Sequence, residues 1–183
     1  MAAGMEKGAE SGGGRMKETH WERINHTFLP VFDEKSKVLI LGTAPSVKSR
    51  ENHFYYGHPQ NRFWKVLAAV TAAEVPKSID DKKVFLLSKG IAIYDVIESC
   101  DIKGSSDSSI RNVVPADVTA ILKTTGRIPV FGNGNAAFRL YQKHQQKKTE
   151  IPMVLLPSTS PANAAWRLER LTEAWGTALR PFL

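Results

Sequence analysis

The chain has few of the residues that build disulfide-bonded or zinc-binding proteins. Its 183 residues include one cysteine, Cys100, so no intrachain disulfide can form. The five histidines are scattered and have no cysteine partners at the spacing that zinc sites use. We therefore expect a protein of a reducing cytoplasm, with a site that holds no metal ion.

Long apolar runs are also missing. No uninterrupted apolar stretch approaches the roughly 20 residues needed to cross a bilayer, and the Gly/Ser/Glu-rich start lacks the apolar core of a signal peptide. We expect a cytoplasmic monomer that is neither secreted nor membrane-bound, and nucleoid-associated if bacterial. The segment Met1–Lys17 is too polar to offset its ordering entropy. We predict that it is a disordered tail and that residues 18–183 form a single domain.

The charge of the chain favours a polyanionic partner. Lysine and arginine number 25 against 18 acidic residues, which gives a net charge of +7. Nucleic acid is the leading candidate for such a partner. Mild basicity also occurs in proteins that bind no nucleic acid, so charge alone does not decide the function.

Four short apolar runs, separated by helical patterns, predict the fold. The runs are Lys37–Gly42, Ile91–Val96, Ile128–Gly132 and Met153–Pro157. They are apolar throughout, as in strands that are covered on both faces. Apolar residues recur at helical spacing around Phe63–Val70, Val118–Leu122, Ala136–Tyr141 and Ala164–Leu179. We predict an α/β protein, a three-layer α/β/α sandwich with a central four-stranded parallel sheet.

In such sheets, ligands bind at the carboxyl ends of the strands, where the strand order reverses. The loops after the four predicted strands are therefore where we expect chemistry. They comprise Gly42–Ser46, the segment from Asp95, Gly132–Gly134 and Pro157–Pro161.

Three sequence motifs occur together in and near these loops. They are Gly42-Thr-Ala-Pro-Ser46, Tyr55-Tyr-Gly-His-Pro-Gln-Asn-Arg-Phe-Trp64 and Leu156-Pro-Ser-Thr-Ser-Pro-Ala162. Together they resemble the uracil-DNA glycosylase superfamily, and most closely its hypoxanthine-DNA glycosylase family. The resemblance runs from about Val38 to Trp166. It implies a cofactor-free, monofunctional DNA glycosylase that removes a deaminated base, with hypoxanthine favoured, and leaves an abasic site in DNA.

The resemblance also points to the catalytic residue. Most branches of the superfamily have a carboxylate or carboxamide two residues after the first glycine of the first loop to hold the attacking water, but here that residue is Ala44. The hypoxanthine family shares this loss and implies that Asn61 takes over, with its carboxamide accepting a hydrogen bond from the water. The alternative is that Asn61 caps the helix carrying Phe63, and the two roles can coexist.

The same resemblance implies a base pocket formed by Thr43, Ala44, Ser46, Tyr56 and Asp95. Tyr56 lies where relatives place an aromatic ring under the extruded base, with Tyr55 as the fallback, although both could be core tyrosines. Asp95 could accept a hydrogen bond from a ring N–H of hypoxanthine, or it could cap a helix or act as a structural hydrogen-bond acceptor. His58 could contact the base or phosphate, or it could hold the loop before Pro59.

We expect DNA contacts from the neighbouring loops. The candidate residues are Lys48, Gly132, Asn133, Ser158, Thr159 and Ser160. Hydroxyls and backbone amides suit phosphate oxygens, but Ser158–Pro161 also reads as an ordinary turn with a helix cap.

Three other functions remain open from the sequence. Gly132–Ala137 fits the G-x-G-x-x-A dinucleotide fingerprint, which would suggest a nucleotide-dependent oxidoreductase. Ala44 is compatible with an inactive DNA-binding module. A uracil-directed glycosylase of the same fold is the third alternative, because a few hydrogen bonds separate the deaminated bases.

Overall fold

The structure is a computed structural model that describes residues 20–183, so the predicted disordered tail, Met1–Lys17, lies outside the described residues. Its strands are β1 (Trp21–Asn25), β2 (Val38–Gly42), β3 (Ile91–Asp95), β4 (Ile97–Lys103), β5 (Arg111–Pro115), β6 (Val130–Asn133) and β7 (Met153–Leu156). Its α-helices are α1 (Val47–Glu51), α2 (Phe63–Val70), α3 (Ile79–Ser88), α4 (Val118–Thr125), α5 (Asn135–His144), α6 (Gln146–Thr149) and α7 (Leu168–Leu179).

The four predicted strands form the central sheet. They lie in the order β3-β2-β6-β7, and every neighbouring pair is parallel. Every residue of β2 and β3 is buried, as continuous apolar runs predict for strands covered on both faces. The predicted three-layer α/β/α fold is confirmed. Its strand order reverses beside β2, so the loop after β2 lies at the position where such sheets bind ligands.

Helices α2 and α7 pack against each other through a large apolar contact. Phe63, Val66, Leu67 and Val70 of α2 are all buried, which confirms the predicted helical face. Trp175 of α7 is fully buried, and its indole N–H donates to the carbonyl of Pro157 at 2.9 Å. This packing fixes the start of α2 and the loop after β7 relative to the sheet.

A second, antiparallel sheet was not predicted from the sequence. It has the order β1-β4-β5, and its strand β4 is separated from the end of β3 by a single residue, Val96. Its strands are only half apolar, and β4 alternates buried and partly exposed residues. Ile24, Ile97, Cys100 and Ile102 form its own small core. The hairpin between β4 and β5 brings Ser105 and Asp107 to the same end of the central sheet as the loop after β2.

None of the helices within residues 20–183 is both long enough and apolar enough to cross a membrane.

Candidate active site

A cavity of about 180 Å³ opens at the carboxyl ends of β2, β3 and β6. It brings together all the predicted site residues except Lys48 and Gly132. Those that line it are Thr43, Ala44, Ser46, Tyr56, Asn61, Asp95, Asn133, Ser158, Thr159 and Ser160. Phe28, Ser105 and Asp107 also line it, and sequence reasoning missed these three.

Two predicted DNA-contact residues lie elsewhere. Gly132 is buried inside β6, and a Cβ built on it would lie 2.3 Å from the Met153 sulfur, so it is covered by protein on that side. Lys48 is exposed on α1 and forms an ion pair with Glu51 at 2.7 Å. The structure therefore does not bring either residue to the cavity.

Asn61 lies one residue before Arg62, the N-cap of α2, and its side chain both bonds the first N–H of the helix and lines the cavity. Its side-chain oxygen Oδ1 accepts hydrogen bonds from the Phe63 backbone N–H and from the Thr159 hydroxyl, each at 2.9 Å. The same hydroxyl accepts from the Asn133 amide at 2.9 Å, while the Thr159 N–H donates to Asn133 Oδ1 at 3.0 Å. Each of these bonds has a defined direction, because a backbone N–H can only donate.

This network fixes the orientation of the Asn61 amide. Both lone pairs of Oδ1 are used, so the Nδ2 amide group, a hydrogen-bond donor, is the part of the side chain left to meet a ligand. The oxygen was predicted to accept a hydrogen bond from the water, but in the structure it accepts from two other donors. A water near Asn61 is therefore best held by donation from Nδ2, which leaves a water lone pair free for attack.

Tyr56 lines the cavity and stacks on Phe63. Its ring lies parallel to Phe63, with centroids 3.7 Å apart and an interplanar angle of 18°. Its φ of +52° is left-handed, a conformation that costs a bulky residue about 1 kcal/mol or more. Its buried hydroxyl meets no hydrogen-bond partner among the described residues. Burial and the nearby Asp95 carboxyl raise the pKa of Tyr56, so the hydroxyl stays protonated as a donor.

Tyr55, the fallback platform, is a core residue. It is buried, its hydroxyl donates to the carbonyl of Leu29 at 3.0 Å, and its ring meets Phe28 edge-on. Burial raises the pKa of Tyr55 as well. Tyr55 is therefore held in the core, whereas Tyr56 is partly exposed at the cavity.

Asp95 ends β3 directly beside Gly42, its partner in the parallel register with β2. Its Oδ2 lies 2.8 Å from Nε2 of His26, and both side chains are almost fully buried, at 6% and 1% exposure. The predicted alternative of a helix cap is not observed, whereas the contact with His26 fits the other predicted alternative, a structural hydrogen-bond acceptor. A Cβ on Gly42 would lie 2.3 Å from Asp95 Oδ1, so only glycine leaves room for the carboxylate.

Arg62 organises the loop after β7, and sequence reasoning missed it. Its guanidinium donates to the carbonyls of Thr159, Ser160, Asn163 and Trp166. Its backbone N–H also donates to the Thr159 carbonyl, at 3.1 Å. An arginine between Asn61 and the Phe-Trp pair was the available signal, but nothing in the sequence indicated that its partners would be carbonyls of a distant loop.

The remaining loop residues have structural roles alongside any contact with DNA. Ser46 caps α1 by accepting from the Ser49 N–H at 3.2 Å. Ser158 accepts from the Ser160 N–H at 3.2 Å, as the predicted turn requires. His58 accepts from the Gln60 N–H at 3.1 Å, which fits the loop-holding alternative. These bonds pre-form the cavity wall.

Within residues 20–183, no cluster of three or more His, Cys, Asp or Glu side chains could hold a metal ion.

The dinucleotide-like segment Gly132–Ala137 forms the turn from β6 into α5, and one strand, β7, follows it in the central sheet. Gly134 has a φ of +98° and packs on Ser158. This turn therefore braces the loop after β7.

Comparison with known proteins agrees with this geometry. Residues 29–179 match the family model of the uracil DNA glycosylase superfamily. The chain belongs to the uracil DNA glycosylase superfamily. It is accordingly a DNA glycosylase, and DNA is its substrate.

Two curated relatives from archaea are similar over different lengths. A hypoxanthine DNA glycosylase of Methanosarcina barkeri is 33% identical over 86 residues, which cover 46% of this chain and 54% of that protein. A hypoxanthine DNA glycosylase of Methanosarcina acetivorans is 28% identical over 161 residues, covering 86% of this chain and 99% of that protein.

A solved structure shares the fold. The solution NMR structure of a uracil DNA glycosylase candidate from Methanosarcina acetivorans superposes with a TM-score of 0.73 at 27% identity. The match covers 85% of this chain and 96% of that one.

Proposed function

We propose that this DNA glycosylase removes hypoxanthine from DNA by hydrolysis and has no lyase activity. One observation carries the proposal: a carboxamide, an aromatic ring and a carboxylate, those of Asn61, Tyr56 and Asp95, line one cavity. The two hypoxanthine DNA glycosylases to which the chain is similar favour the same substrate.

Recognition begins with docking of the DNA backbone. The chain carries a net charge of +7, and the hydroxyls and backbone amides around Ser158 and Ser160 suit phosphate oxygens. A second groove shares Asn133, Ser158 and Ser160 with the cavity and continues past Arg139 and Trp166. The strand flanking the damaged nucleotide follows this groove.

The damaged nucleotide then rotates out of the duplex into the cavity. A flipped base loses its stacking partners, and stacking on an aromatic side chain restores about 1–3 kcal/mol. Tyr56, backed by Phe63, provides that surface. Asp95 accepts a hydrogen bond from the ring N–H of the base.

Hydrolysis requires few side chains. A water held by Asn61 attacks C1′ of the deoxyribose, the C1′–N bond breaks, and its electron pair leaves with the base. One proton of the water passes to solvent or to the departing base, because a carboxamide is too weak a base to take it. Asn61 thus contributes by positioning the water, a task for which the methyl group of Ala44 offers no hydrogen bond.

The surroundings of the amines near the site support the proposal that the enzyme has no lyase activity. A lyase needs an amine nucleophile that forms a Schiff base with the sugar. No lysine is among the described residues that line the cavity, and Lys48 is paired with Glu51. Borohydride treatment during turnover should trap no covalent protein–DNA adduct.

Excision from oligonucleotides that carry one hypoxanthine, uracil or xanthine tests the proposal, in single- and double-stranded form. Hypoxanthine should be released fastest. Faster release of uracil would contradict the hypoxanthine proposal and favour a uracil-directed glycosylase. If no base were released, the protein would be a DNA-binding module without glycosylase activity.

The catalytic role proposed for Asn61 is tested by replacing that residue. Asn61→Ala should lower hypoxanthine excision by about 100-fold or more, while the lost helix cap costs about 1 kcal/mol of unfolding free energy. Asn25→Ala, on an exposed position of β1, is the matched control and should excise at the normal rate. Near-normal excision by a folded Asn61→Ala protein would overturn the assignment.

A further inference from the structure

His26 has a buried position beside the cavity that neither the motifs nor the family match covers. It lies just before the matched residues 29–179 and follows β1 of the second sheet. Its ring packs among those of Phe28, Tyr55 and Tyr94, with centroids 4.5, 5.8 and 4.8 Å away. Both of its ring nitrogens are engaged in hydrogen bonds.

The partners of the two nitrogens determine where the protons lie. Nδ1 is 2.7 Å from the carbonyl oxygen of Phe28, and a carbonyl can only accept, so Nδ1 carries a hydrogen. Nε2 is 2.8 Å from Oδ2 of Asp95. A second proton must lie between these two atoms, either on the histidine as imidazolium or on Asp95 as a carboxylic acid.

Both arrangements have the same consequence for the other carboxyl oxygen. In each, the shared proton lies on the line from Nε2 to Oδ2, so Oδ1 of Asp95 carries no hydrogen. Oδ1 makes no hydrogen bond to any described residue, and Asp95 lines the cavity. The pair therefore offers the ligand an oxygen that can accept a hydrogen bond and cannot donate one.

An obligate acceptor distinguishes hypoxanthine from adenine and uracil from cytosine, the bases from which they are formed. Adenine has an unprotonated N1 and cytosine an unprotonated N3, both of which are acceptors. Deamination turns these positions into the N1–H of hypoxanthine and the N3–H of uracil, which are donors. An acceptor facing another acceptor leaves both without a partner after desolvation, which is the strongest way for a polar site to reject a ligand.

We propose that His26 is the specificity-determining positioning residue of this enzyme, which holds Asp95 with a bare oxygen toward the base and so selects a ring N–H. This inference rests on the proposed function. His26 does not touch the base and acts only through Asp95, so its effect must disappear when Asp95 is removed.

A double-mutant cycle tests this dependence, with single-turnover excision of hypoxanthine as the measurement. His26→Phe keeps an aromatic ring among its three ring neighbours but removes both nitrogens, so we expect excision to fall by about tenfold or more. Asp95→Ala should be at least as slow. The double variant should be no slower than Asp95→Ala, within about threefold.

Two amide variants show which nitrogen matters. A glutamine amide reaches the position of Nε2 and can donate to Asp95, whereas an asparagine amide reaches only the position of Nδ1. His26→Gln should therefore excise hypoxanthine faster than His26→Asn. If His26→Phe does not fold, the cycle is run with His26→Asn in its place.

Selectivity is measured with a matched substrate, DNA that carries unsubstituted purine, whose N1 has no hydrogen. The preference of the natural enzyme for hypoxanthine over purine should fall by about tenfold in His26→Phe. Unchanged preference, equal rates for the two amide variants, or additive losses in the cycle would each overturn the inference. If the natural enzyme releases no deaminated base at all, the proposed function itself fails, which is a distinct result.

Discussion

The backbone N–H and the guanidinium of Arg62 both donate to one atom, the carbonyl oxygen of Thr159, at 3.1 and 3.2 Å. Ser160, which follows Thr159, and Asn61, which precedes Arg62, both line the cavity. This carbonyl therefore joins the two halves of the site, together with the bond from the Thr159 hydroxyl to Asn61. The remaining guanidinium bonds hold the loop that follows.

Replacement of Arg62 should loosen that loop. Hydrogen bonds from a charged donor contribute about 1.5–3 kcal/mol each to stability. Part of this free energy is restored when water bonds the freed carbonyls, or when a lysine stands in place of the arginine. We expect Arg62→Ala to lower the free energy of unfolding by about 3 kcal/mol and Arg62→Lys by less, measured by urea denaturation. Arg167→Ala, whose exposed side chain makes no capping bond, should change it little. Equal stability of the two alanine variants would show that the carbonyl contacts contribute nothing.

Gly42 leaves the space that Asp95 occupies, so a methyl group there should stop excision. The Cβ of Gly42→Ala would lie 2.3 Å from Oδ1 of a carboxylate whose other oxygen is fixed by His26. Gly132→Ala is the matched control, because its Cβ would meet the Met153 sulfur at the same 2.3 Å, and a methionine side chain can move.

We expect about a 100-fold or greater loss of hypoxanthine excision in Gly42→Ala and at most a few-fold loss in Gly132→Ala. Single-turnover rates, with circular dichroism to verify folding, provide the comparison. A fast Gly42→Ala enzyme would mean that the position of Asp95 is unimportant for the reaction.

Cys100 should be inert in the native protein. It is fully buried among Ile24, Ile97 and Ile102, and desolvation raises the pKa of its thiol, so little thiolate is present to react. Alkylation by iodoacetamide at neutral pH should be about 100-fold slower than in urea. Equally fast alkylation in both conditions would indicate that the second sheet opens readily.

Asp107 should make the stability of the protein depend on pH in an unusual direction for an aspartate. Desolvation and the charge of Asp95 raise its pKa, and Arg139 partly opposes this rise. The folded state then binds a proton more tightly than the unfolded state, so this residue contributes a loss of stability as pH rises from its ordinary value, near 4, through the raised value.

The comparison of the natural protein with Asp107→Asn isolates this effect. Over that pH window, the free energy of unfolding of the natural protein should fall relative to that of the variant. A difference that stays constant with pH, or that grows in favour of the natural protein, would contradict the raised pKa.

The sequence predicts the central sheet well and the second sheet not at all, for a physical reason. Strands such as β2 are buried on both faces and therefore apolar at every position, which gives a strong signal. Strands β1 and β5 are largely exposed, and their partners are set by the tertiary fold, so their sequences carry little periodic signal.

The same distinction applies to the site. Residues within the three motifs, such as Asn61 and Tyr56, could be predicted because the resemblance covers them. His26 could not, because its role depends on a carboxyl group 69 positions later and on the carbonyl of Phe28. The orientation of the Asn61 amide was also out of reach, since it is set by the bonds between Thr159 and Asn133.

The position of β1 bears on how the protein can be shortened. This strand supplies Ile24 to the small core of the second sheet and leads directly into the histidine that meets Asp95. A trimmed chain that begins at the edge of the family match, near residue 29, would keep every motif yet lose Phe28 from the lining of the cavity. Such a fragment should still be recognisable by sequence while being a poor enzyme.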